Sequence, residues 1–139
     1  MSRLLIVVSL IFLTMITGCN GTASKMDVRL EGTETFPDYL AGTWQANRDG
    51  WQIAFNEQGR IEYIVHTMGR VRLQPGEKTV VPMKMEGKSV FEPGKWEVIW
   101  DEDTQQLAVT INLEHFYAEI GEGTVEGSSR DVIVGEVIE

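Results

Sequence analysis

Trp96-Glu97-Val98-Ile99-Trp100-Asp101-Glu102-Asp103-Thr104-Gln105-Gln106-Leu107-Ala108-Val109-Thr110-Ile111-Asn112-Leu113 is the stretch from which the fold can be read. Trp96, Val98 and Trp100 occupy alternate positions, and so do Leu107, Val109, Ile111 and Leu113. A period of two belongs to a strand with one buried face, because successive side chains leave the pleat on opposite sides. Residues 101–105 form a polar break between the two runs, so the chain reverses there and the runs pair as an antiparallel hairpin. Phe116, Ala118 and Ile120 then continue the apolar row on even numbers instead of odd ones. A one-residue shift of face is what a β-bulge produces.

The same patterning extends outward. Downstream, Gly121 and Gly123 mark a turn before two short segments, 125–129 and 131–138. Upstream, Trp51, Ile53 and Phe55 alternate with Gln52, Ala54 and Asn56. Glu57-Gln58-Gly59 closes a hairpin, with glycine where a positive φ is expected. Ile61, Tyr63 and Val65 return on one face, and Gly69 and Gln74-Pro75-Gly76 mark a bend and a turn. Val81, Met83 and Met85 form the next inward set, in which Pro82 indicates an edge or a bulge. Pro37-Asp38-Tyr39-Leu40-Ala41 predicts one short helical turn. Turn signals every ~8–12 residues and no long helix predict an all-β fold, an antiparallel small barrel of about eight to ten strands.

The chain has 12 basic and 21 acidic residues, a formal net charge of −9. That balance argues against nucleic acid, which needs basic patches to displace counterions, and against electrostatic attachment to an anionic leaflet. A solvated acidic surface is the ordinary consequence. Cys19 is the one cysteine, which excludes an internal disulfide. Stability therefore has to come from burial.

Residues 1–18 have the parts of an export signal: Arg3, an apolar core from Leu4 to Met15 broken by Ser9 and Thr14, and the small pair Thr17-Gly18. The core is about a dozen residues, short for a ~30 Å hydrocarbon layer. Ile16-Thr17-Gly18-Cys19 resembles the lipobox of bacterial lipoproteins. That resemblance implies cleavage before Cys19, acylation of Cys19 by diacylglycerol and fatty acid, and a home in the bacterial cell envelope. Asn20 after the cysteine implies the outer membrane, facing the periplasm, by the sorting rule of enteric bacteria. Several acyl chains anchor a protein stably where one does not. The expected organisation is a lipoprotein signal peptide at 1–18, a lipidated tether at 19–36 and a β-barrel domain at 37–139. Val28 and Leu30 could add an edge strand within the tether.

Leu40-Ala41-Gly42-Thr43-Trp44 resembles the opening of the calycins, which include the lipocalins, fatty-acid-binding proteins and avidins. The following 51–61 is similar to the next strand and hairpin of lipocalin-like bacterial domains. The resemblance implies a barrel closed at its base by Gly42, Trp44 and Arg130, the guanidinium packing across the tryptophan in a cation–π contact of ~0.5–2 kcal/mol.

No catalytic or metal signature emerges. His66 and His115 have no paired-ligand spacing, so neither a metal nor another cofactor is expected. Ser128-Ser129-Arg130-Asp131 holds suitable residue types, but the Gly-x-Ser-x-Gly elbow is absent. Arg70 and Arg72 share a strand face, with His66 joining them if Gly69 keeps the register, and could form an anion site at a barrel mouth. Trp51, Phe55, Tyr63, Met83, Met85, Trp96 and Trp100 would line a cavity for an apolar ligand. The expectation is thus a non-enzymatic, membrane-anchored, lipocalin-like module for a small hydrophobic or amphipathic molecule. The alternative is an acidic, solid-cored module that docks to another envelope protein.

Overall fold

The computed structural model describes residues 25–46, 50–67, 70–82, 87–120 and 122–136. The export signal, Cys19, Met83 and Met85 lie outside the described residues. Ten strands are present among those described: β1 (Met26–Glu31), β2 (Gly42–Gln45), β3 (Gln52–Phe55), β4 (Ile61–His66), β5 (Val71–Leu73), β6 (Thr79–Pro82), β7 (Lys88–Pro93), β8 (Trp96–Asp101), β9 (Gln106–Ile120) and β10 (Gly123–Glu136). The helical turn is there as a 3-10 turn, Asp38–Leu40, directly after Pro37. The protein is all-β, with a curled half-barrel sheet of six strands and a second sheet of four.

The half-barrel is built on the hairpin of β8 and β9, in which Trp100 pairs with Leu107 and Glu97 with Thr110. β10 follows one edge of β9 along nearly its whole length. The other edge of β9 meets β8 and then β7, laid end to end, with Val90 opposite Tyr117. Both neighbours of β9 shift register at the same place, between Leu113 and His115 or Phe116. That is the expected bulge, and it turns Phe116 and Ala118 inward after Leu113. Asn112 holds the junction together. Its carbonyl accepts from the Gly94 amide at 2.9 Å and from Trp96 Nε1 at 3.0 Å, and its Nδ2 donates to the Lys95 carbonyl at 2.6 Å. Gly94 has no room for a side chain, since a Cβ there would lie 2.9 Å from Glu114 Cγ at the bulge.

The second sheet is an antiparallel meander, β2-β3-β4-β5. It packs its inner face on the half-barrel, and Trp96, Trp100, Val98, Ile64, Leu73 and Ile111 are completely enclosed between the two. No hydrogen-bonded ladder joins β2, the margin of this sheet, to β10, the margin of the other. A seam is left between them.

The stretch 19–36 contains more structure than a tether. β1 lies parallel to β8, from Met26 opposite Trp96 to Glu31 opposite Asp101, the one parallel pairing in an otherwise antiparallel set among the described residues. Met26 is buried in the core, and Lys95 Nζ reaches Asp27 Oδ2 at 2.6 Å. Phe36 is also buried, its ring 5.8 Å from that of Phe55 and against Gly59. The body begins by Met26, because this segment covers apolar surface of β8 and the β3–β4 hairpin.

Candidate functional site

Residue pairing on β2 and β3 explains the seam. Trp44 lies opposite Ile53, and Gly42 opposite Phe55, so Trp44 belongs to the inner face of its sheet. Ile53 is buried, but Trp44 is 48% exposed, since it overlooks the seam. The indole is held by its Nε1, which donates to the Leu40 carbonyl at 2.8 Å. Trp51, Ile53 and Phe55 continue the wall from Trp44, and Leu107, Val109 and Ile133 face them from the half-barrel. Together with Asp131 they enclose a groove of about 500 Å³, within the ~300–1,000 Å³ usual for small-molecule sites.

The polar part of the groove depends on a second bulge. Phe55 pairs with Ile61, but Ala54 pairs with Tyr63, so one residue of β4 is extra. From that point the inward residues are Ile64 and His66, not Tyr63 and Val65. His66 is therefore buried, only 3% exposed, at a position that unbroken alternation assigns to the outside. Its ring lies 4.6 Å from that of Trp51 at 61°. Its Nε2 is 3.5 Å from Asp131 Oδ2. Burial lowers the imidazole pKa below its ordinary value, and the Asp131 carboxylate opposes this in part.

On β10 the inward positions are Gly127, Ser129, Asp131 and Ile133. Ser129 Oγ and Asp131 Oδ2 are both shielded from solvent; the serine hydroxyl has no hydrogen-bond partner among the described residues, and the carboxylate oxygen faces the His66 ring. Ser129, His66 and Asp131 are thus gathered in one region, yet the serine–imidazole hydrogen bond of an activated nucleophile is not formed. No group of three or more His, Cys, Asp or Glu among the described residues could hold a metal ion.

The structure sorts the expected site residues into three sets. Trp51 and Phe55 line the groove, as does Trp44. Trp96 and Trp100 are wholly buried core; Trp96 Nε1 is bonded to the Asn112 carbonyl and Trp100 Nε1 to Glu102 Oε2 at 2.8 Å. Tyr63, Arg70 and Arg72 are on the outside. Arg72 pairs with Val65 on the outer face, and its guanidinium covers the Tyr63 ring at 3.6 Å. The basic patch therefore does not face the interior. Arg72 on Tyr63 is also the cation–π contact found among the described residues; Arg130 is exposed on the outer face of β10, opposite Asn112, and makes no such contact with Trp44. The Arg130 position follows from strand parity, since its neighbours Ser129 and Asp131 point inward. His66, Asp131, Leu107, Val109 and Ile133 complete the groove region and were not among the residues expected to line a cavity. The signal for the last three was their place on inward rows; no signal in the sequence marks the bulge that inverts His66.

No protein-family model, curated protein or solved structure matches this chain significantly.

Proposed function

We propose that this protein is a non-enzymatic lipoprotein of the bacterial cell envelope whose β-body binds a small hydrophobic or amphipathic molecule in the groove between β2–β3 and β9–β10. The groove itself carries the reading. It has two tryptophans and a row of aliphatic side chains on its walls, one of those tryptophans is half exposed, and Gln45 and Asp131 are the polar side chains among the described lining residues. Such a surface gains ~25 cal/mol for every Å² of apolar area removed from water. The module is lipocalin-like in use, holding its ligand between inward-facing rows of strands. The lipobox-like Ile16-Thr17-Gly18-Cys19 supports lipid attachment at Cys19, with the outer membrane facing the periplasm as its site.

Titration with a neutral apolar probe tests the binding. Tryptophan emission should change saturably and the melting temperature should rise with probe concentration, since a ligand that binds only the folded state stabilises it. Trp51→Ala should weaken both responses. Flat emission and an unchanged melting temperature would reject the reading. For the anchor, Cys19→Ser should abolish acyl labelling and release the protein from membranes; unchanged membrane association would reject it.

A protein-docking role is the second reading, favoured by the net charge of −9 and by the exposed Val125, Val132 and Val134 along β10. It predicts a complex with a cationic envelope protein that weakens steeply with salt.

A further inference from the structure

We propose that the groove selects apolar molecules with a cationic head, a primary amine or a quaternary ammonium, and that the Asp131 carboxylate is the counter-ion. This rests on the groove-binding reading above and assigns the class of ligand. Asp131 is an inward residue of β10, between Ser129 and Ile133, and it opens into a groove whose other walls are mainly aromatic and aliphatic. Its Oδ2 is turned toward His66 and shut off from water, while the side chain as a whole remains 39% exposed. The carboxylate is therefore positioned by the fold and still reachable. Its Oδ2 meets the His66 ring at 3.5 Å, and the exposed part of the carboxylate faces the groove. A carboxylate beside apolar walls gains from a cation that reaches it.

Three further observations point the same way. Trp44 and Trp51 line the groove alongside Asp131, and the negative face of an indole attracts ammonium groups. Among the described residues no Lys or Arg lines the groove, since Arg72 lies on Tyr63 outside it and Arg130 is on the outer face of β10. An anionic head would thus meet Asp131 with no lysine or arginine among those residues to compensate it. The net charge of −9 also concentrates cations at the protein surface.

Three probes with the same chain and different heads test this: hexyltrimethylammonium, hexanol and hexanoate, each titrated against the full chain by tryptophan emission and melting temperature. Hexyltrimethylammonium should bind about tenfold or more tighter than hexanol, the scale of a charge-assisted contact. Asp131→Asn should erase that difference, so that the variant binds the cation no tighter than it binds hexanol. Raising the salt concentration on the unaltered protein should narrow the preference as well, an arm that does not depend on how the variant folds. Hexanol or hexanoate binding as tightly as the cation, or a preference that survives Asp131→Asn or high salt, would overturn the assignment and leave the groove reading standing. If none of the three binds, both fall.

Discussion

His66 couples the interior to pH. Burial lowers its pKa below 6.5, against the partial opposition of Asp131. Above pH 6.5 the imidazole is neutral in the folded and unfolded chains alike, and it imposes no cost on folding. As the pH falls below that value the unfolded chain takes up a proton that the folded one resists, so stability declines until the folded-state pKa is reached. The melting temperature should therefore drop as the pH is lowered through about 6.5 and below, and His66→Gln should flatten that part of the profile even if the variant melts lower throughout. An equal slope in both proteins would remove His66 as the cause. Gly59 makes a second residue-level case. Its φ is +79°, and a Cβ there would lie 2.6 Å from Phe36 Cδ2. Gly59→Ala should cost about 2 kcal/mol or more in urea unfolding, from backbone strain and from displacing the ring.

At the level of elements, the bulge in β9 decides which side chains enter the core. Phe116→Ala would empty the inward position that the bulge creates, a loss of about 3 kcal/mol or more. Glu114→Ala keeps the extra residue and removes only an exposed side chain, whose contact with Lys25 at 3.3 Å is a surface ion pair. It should cost under ~1 kcal/mol. Urea midpoints of the two variants separate these outcomes. This bulge could be read from the sequence because the apolar row passes visibly from Leu113 to Phe116. The bulge in β4 could not. Ile61, Tyr63 and Val65 make a complete alternating row by themselves, and the partner strand breaks it at Tyr63. Tyr63 was consequently expected inside and His66 was not, and the groove lost one expected residue while gaining another. Trp96 and Trp100 show a different limit. Periodicity placed them on the inner face correctly, but whether an inner residue fills a core or borders a cavity depends on what stands opposite, which no local pattern contains.

For the whole molecule, the two sheets differ in how well each strand is supported. β9 is paired along both edges, whereas β2 is paired along one and is only four residues long. Amide hydrogen exchange should be slowest in β9 and fastest in β2, with exchange in β8 slow beneath β1. Faster exchange in β8 than in β2 would contradict the placement of β1 on the sheet. That placement is also where the sequence was least informative. Val28 and Leu30 gave only a faint alternation, and a parallel partner cannot be inferred from a hairpin turn, because there is none.

The seam between β2 and β10 has a cost separate from anything it admits. Along it, two runs of main chain end without a neighbouring strand among the described residues, and the longer of them shows Val132 and Val134 to solvent with neither lysine nor proline to discourage a visitor. Crowding many copies together would give each β10 a template in the next, so solubility should be limited by this line of the surface, and Val134→Lys should raise the concentration at which light scattering begins.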